Sequence, residues 1–138
     1  MPKIKTITEN SSPEDKEKVV MDLIHWLDTR DLFHDIRIYC NNKCWSSYYY
    51  PKNKMSNKAI INDPRIARHV FYEETNITAS DYIEYANDNL ITMSFEGNLN
   101  HELNYGNGKT KQELITFFAK RGLYFELGYS WSLSTYEN

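Results

Sequence analysis

At 138 residues, with 41% apolar side chains and a formal charge of −3, the chain is the size of one domain able to bury its own core without disulfides or metals. Mean hydropathy is −0.68, and no apolar run approaches the roughly 18 residues of a spanning helix, which excludes a helical membrane protein. Two cysteines, and a start (Met1-Pro2-Lys3-Ile4-Lys5) with no apolar stretch behind it, place the expected compartment in the cytoplasm with both thiols reduced.

Residues 1–11 are polar and read as a flexible N-terminus in which Ile4 and Ile7 can dock; 12–138 read as one domain. Ser12-Pro13-Glu14-Asp15 is a helix start, with Ser12 as N-cap, Pro13 at the first helical position and two acids in the positive first turn. Val20, Leu23, Ile24 and Leu27 then recur at helical spacing, predicting a helix over 13–28. Ile36, Ile38 and Cys40 alternate with polar neighbours as a half-buried strand, Asn41-Asn42 suits a tight turn, and 44–50 returns as a second strand. Residues 51–57 are polar and read as loop.

Asp63-Pro64 predicts a short helix over 65–72, and Thr78 with Asp81 opens another over 81–86 that Asn87, Asp88 and Asn89 break. Ile91, Met93 and Phe95 alternate as a third strand ending at Gly97, with a turn at Asn98-Leu99-Asn100. Thr110 to Glu113 is a capping-box pattern ahead of the stripe Leu114, Phe117 and Phe118, and Gly122 suits the left-handed position that ends a helix. Leu123, Phe125 and Leu127, then Trp131, Leu133 and Thr135, make a terminal hairpin. The order α-β-β-(α)-α-β-α-β-β predicts an α+β fold, a single domain with a mainly antiparallel sheet of about five strands and helices on one face.

Catalytic chemistry finds little to stand on. Cys40 and Cys44 lie beside His34, but hairpin register decides whether their sulfurs meet, and no second pair completes a tetrahedral site. Glu96, His101 and Glu102 could form a general acid–base group after the third strand. No H-E-x-x-H, G-x-S-x-G or glycine-rich phosphate loop accompanies them, and strand termination explains Glu96 equally well. The expectation is a non-enzymatic protein with no metal and no cofactor.

Charge is partitioned along the chain. From Lys43 to Arg68 six basic residues face one acid, Asp63; between Phe71 and Gly108 seven carboxylates occur with no Lys or Arg. In the basic block Trp45 and Tyr48, Tyr49 and Tyr50 precede Lys52 and Lys54, the ingredients of a single-strand nucleic-acid surface; Tyr49, Lys52, Lys54 and Arg65 are its candidate contacts. A pI near 5.8 weighs against nucleic acid as the main partner. In the acidic block Glu73, Glu74, Asp81, Glu84 and Asp88 form the candidate partner-binding set, able to meet a basic groove. Tyr72, Tyr82, Tyr85 and Tyr105 are interleaved with these acids as anchor candidates.

The segments 89–105 (NLITMSFEGNLNHELNY) and 122–133 (GLYFELGYSWSL) resemble small accessory proteins of phages and mobile elements in low-G+C Gram-positive bacteria, of the anti-CRISPR and anti-restriction kind. The resemblance covers about the C-terminal half and carries no catalytic motif. It implies a counter-defence protein that binds and inhibits a host nucleic-acid-handling effector, above all a CRISPR effector nuclease such as Cas9 with its guide RNA. The alternative is a small nucleic-acid-binding or regulatory module using the basic, aromatic hairpin 43–58.

Overall fold

The computed structural model describes residues 4–47, 58–73 and 78–138. Three helices, α1 (Pro13–Thr29), α2 (Asn98–Tyr105) and α3 (Lys109–Ala119), accompany seven strands: β1 (Ile36–Cys40), β2 (Lys43–Ser46), β3 (Lys58–Ile61), β4 (Val70–Glu73), β5 (Thr92–Phe95), β6 (Leu123–Leu127) and β7 (Ser132–Glu137). The strands form one sheet in the order β3-β4-β2-β1-β5-β7-β6, antiparallel at every pairing. The α+β class, the antiparallel sheet and the single domain expected from the sequence are all present. No helix among the described residues is long and apolar enough to cross a membrane.

Strand alternation sends Ile36, Ile38, Trp45, Met93, Phe95 and Leu133 to one side of the sheet, where the helices cover them. There they meet Val20, Leu23, Ile24 and Leu27 of α1, Leu99 and Leu103 of α2, and Leu114, Phe117 and Phe118 of α3. Full burial of each such side chain is worth roughly 1.5–3 kcal/mol against exposure, so this layer supplies most of the driving force. Ser12 caps α1, its hydroxyl accepting the Asp15 amide at 3.2 Å. Asn41 and Asn42 both adopt positive φ (54° and 61°), so the β1–β2 turn has two residues. Cys40 consequently lies opposite Lys43 and packs into the helix-side core, while Cys44 packs on the other face; both are free thiols.

Helices α1 and α3 run antiparallel and meet in three rungs, each four residues apart. Asp22 accepts from Arg121 at 3.5 Å, Trp26 lies 6.2 Å from Phe117, and Arg30 donates to Glu113 at 3.1 Å. Each ring is also covered by a guanidinium: Arg30 stands 4.1 Å over Trp26, and Arg121 3.7 Å over Phe117.

The middle third departs from expectation. Residues 65–72 are not a helix: Ile66 turns back onto Asp63, and Val70–Glu73 pairs with β2 and β3, placing Tyr72 5.3 Å from Trp45. Long-range pairing and aromatic packing override the local helix signal. The helix expected at 81–86 is only a single 3₁₀ turn, Ala79–Asp81, ended by Tyr82. The expected turn at 98–100 opens helix α2. Strands β3 and β4 account for a sheet of seven strands where five were expected. The α3 capping box does not form, because Arg30 takes Glu113 and Thr110 reaches Glu102; Gly108, at φ 88°, starts the helix instead. Of the polar N-terminal segment, Ile7 is buried in the core and its amide bonds to the Arg121 carbonyl.

Candidate interaction face

The side of the sheet turned away from the helices carries a row of paired residues: Glu73, Cys44, Tyr39, Thr92, Ser134 and Glu126. Residues 78–88 lie across its middle. Ala79 and Ile83 bury against Tyr39 and Cys44 in a second, smaller apolar cluster. Asn87 ties the segment to the sheet, its amide donating to Thr92 Oγ1 at 2.9 Å and its side chain to the Thr135 carbonyl at 2.7 Å. Ser134 Oγ donates to the Tyr85 carbonyl at 2.9 Å. A segment whose regular structure is a single 3₁₀ turn is thereby fixed at both ends.

That anchoring produces a backbone outlier. Tyr85 sits at φ 64°, in the left-handed region where a bulky side chain costs about 1–2 kcal/mol. Tyr85 is 63% exposed, and Tyr82 beside it is 61% exposed while stacking on Tyr39 at 6.2 Å. The β6–β7 turn adds two further aromatics. Tyr129, 40% exposed, lies 5.8 Å from Tyr85 and stacks on Trp131 at 5.4 Å with the rings 11° apart. Helix α2 holds this turn from below, with Asn100 and Asn104 both donating to the Ser130 carbonyl at 3.1 and 2.7 Å.

Carboxylates interleave with the rings. Tyr129 donates its phenol to Glu84, and this bond, ahead of desolvation, raises the Tyr129 pKa above its ordinary value. Asp81 accepts the Thr78 hydroxyl at 2.6 Å, and Asp88 accepts both the amide and the hydroxyl of Ser80. None of Asp81, Glu84, Asp88 and Glu126 has an ion-pair partner among the described residues. Arg37, in the neighbouring row, is the cation on this face of β1. Elsewhere the carboxylates Asp22, Asp28, Asp63 and Glu113 of the helix side are all matched to arginines.

Of the sequence candidates, Asp81, Glu84 and Asp88 come together on this face with Tyr82 and Tyr85, and Glu73 stands far along the row, where Lys58 of β3 is its register partner. Tyr72 packs on the opposite side of the sheet, and Tyr105 ends α2, 5.9 Å from His101. Glu74, Tyr49, Lys52 and Lys54 lie outside the described residues. Arg65 lies on the helix side with its side chain 44% exposed: Asp63 takes its Nε and Nη2 at 3.2 and 2.9 Å, and Asp22 its Nη1 at 2.9 Å. These carboxylates brace it, partly exposed, as a strut between α1 and the turn after Asp63. Tyr129, Trp131 and Glu126 were not singled out from the sequence; the pair of aromatics around Ser130, in a turn that hides neither, was the available signal.

Of the acid–base candidates, His101 and Glu102 line one concavity with Arg30 and Asp31, and Glu96 is not among its lining residues. Glu96 donates its amide to the Asp35 carbonyl, Glu102 accepts from Thr110 at 3.4 Å, and no hydrogen bond joins Glu96 to His101. His34 bonds Asp31 at 2.9 Å and Arg68 at 3.2 Å. Among the described residues no three His, Cys, Asp or Glu side chains group as metal ligands. Comparison with protein-family models, curated protein sequences and solved structures gives no match for this chain.

Proposed function

We propose that this protein works by binding, and that the face built by 78–88 and the β6–β7 turn docks on a basic surface of a protein partner. The observation that carries the reading is Tyr85. The anchoring that holds this residue at positive φ leaves a large side chain 63% exposed beside Tyr82 and Tyr129, outside the core. Exposed tyrosines supply anchoring area at low entropy cost, and unpaired carboxylates around them favour a cationic partner and speed the encounter.

With the resemblance to counter-defence proteins, the partner class is a nucleic-acid-handling effector, and a CRISPR effector nuclease in particular. The carboxylates would meet its phosphate-binding groove while the rings anchor the contact, so inhibition needs no chemistry from this chain.

The test is an affinity pull-down from host lysate, with and without nuclease, followed by cleavage assays on the captured effector. The face should retain its partner after nuclease treatment, and Tyr82→Ala with Tyr85→Ala, or Glu84→Lys, should release it. Capture that depends on nucleic acid, or that survives those variants, overturns the proposal.

A further inference from the structure

Among the described residues a broad concavity lies on the opposite side from the acidic face, over the three rungs between α1 and α3. It has a volume of about 660 Å³, within the range of small-molecule sites. Its charged lining is Arg30, Arg65, Lys120 and Arg121 against Asp22 and Glu113, a cationic excess in a chain of net charge −3.

The donors are not all spent. Arg30 uses Nε on Glu113 and Nη1 on the Trp26 carbonyl and Thr29, which leaves Nη2 without a partner. Lys120 has no partner among the described residues, and Arg121 has Nε to spare beyond its bonds to Phe117 and Asp22. Arg30 also presents a plane. Its guanidinium carbon stands 4.1 Å from the Trp26 ring centroid, and the side chain, 37% exposed, lines the cleft. Helical rise puts the Glu113 rung, where Arg30 sits, about 12 Å from the Arg121 rung.

We propose that this cleft binds a nucleotide, free or at the end of a nucleic-acid strand. The heterocycle stacks on the guanidinium plane of Arg30, and the phosphates reach Lys120 and the spare edge of Arg121. Guanidinium planes and compact ammonium charges suit those two parts of the ligand respectively. Trp26 and Phe117 are already covered by guanidinium groups, so the ring finds a cationic platform and no bare aromatic one. This site is independent of the acidic face, and neither reading requires the other.

Calorimetric titration of the intact protein tests it, with ADP, inorganic pyrophosphate, and a single-stranded DNA octamer with and without a 5′-phosphate as probes. ADP should bind saturably, and Lys120→Glu, an exposed change that leaves the rungs intact, should weaken it at least tenfold. Arg30→Lys keeps the charge and removes the plane, so it should weaken ADP several-fold more than pyrophosphate. Tighter binding of the phosphorylated octamer than of ADP would identify a strand end as the ligand, and the reverse a free nucleotide. The proposal is overturned if neither ADP nor the phosphorylated octamer saturates the protein. Unchanged affinity in Lys120→Glu, or equal losses of ADP and pyrophosphate in Arg30→Lys, overturns it too.

Discussion

Glu84 and Tyr129 stand 45 positions apart in sequence and are joined by a hydrogen bond from phenol to carboxylate. The bond closes the acidic segment against the β6–β7 turn and turns two loops into one surface. Its strength depends on the phenol keeping its proton. Since the folded pKa of Tyr129 is raised, the contribution is complete below the ordinary tyrosine range and fades as pH rises through the higher folded value. Tyrosinate absorbance should lose a late-titrating component in Tyr129→Phe, and Glu84→Gln should move that component to lower pH.

Tyr85→Gly separates stability from binding. Glycine occupies φ 64° without strain, so chemical denaturation should show the variant unchanged or more stable by up to about 1 kcal/mol. Pull-down of the partner should fall sharply. A variant that is both less stable and fully competent would show that the ring serves packing.

On the helix side, the Asp22 rung should outweigh the Glu113 rung. Arg121 is only 10% exposed at its side chain, and burial lowers its pKa, whereas both members of the Arg30–Glu113 pair are more than a third exposed. Asp22→Asn leaves a mostly buried guanidinium short of its counter-charge and should cost about 1–3 kcal/mol in urea unfolding. Glu113→Gln should cost under about 1 kcal/mol.

Acid should loosen the strut at Arg65. Hydrogen bonds from Arg65 hold the Asp63 carboxyl below its usual range. A depressed folded value gives stability that is present above the ordinary aspartate pKa of about 3.9 and lost as pH falls through the folded one. Asp63→Asn should flatten that part of the stability–pH curve.

Neither thiol should react in the native state. Burial pushes Cys40 up to about 12, and Cys44 is buried on the opposite face. Labelling by a thiol reagent at neutral pH should therefore track unfolding, and rapid labelling of the folded protein would contradict the burial of both residues.

Local signals carried the parts of this fold that local chemistry decides. Ser12-Pro13 set the start of α1, Asn41-Asn42 set the hairpin register and hence the separation of the two sulfurs, and Gly122, at φ 76° against the Thr6 methyl, ended α3. What escaped was decided at long range. Val70–Glu73 becomes a strand because β2 is beside it, and 81–86 stays irregular because Ile83 is drawn down onto Tyr39 and Cys44. The acids Asp81, Glu84 and Asp88 were legible as a set. Their joining to Tyr129 and Trp131 was not, since only the β5–β7 pairing and the grip of α2 on Ser130 bring that turn to them.

The three rungs between α1 and α3 also set a timetable for synthesis. Asp22, Trp26 and Arg30 leave the ribosome long before Arg121, Phe117 and Glu113, their partners, exist. At about 5–20 residues per second the gap lasts on the order of 5–20 s. Through that interval the apolar stripe of α1, Leu23, Ile24 and Leu27, waits uncovered by α3 and the final hairpin. The stalled or truncated chain should therefore show more exposed apolar surface than the full chain, and a truncation before Lys109 should aggregate or bind a holding chaperone in vitro.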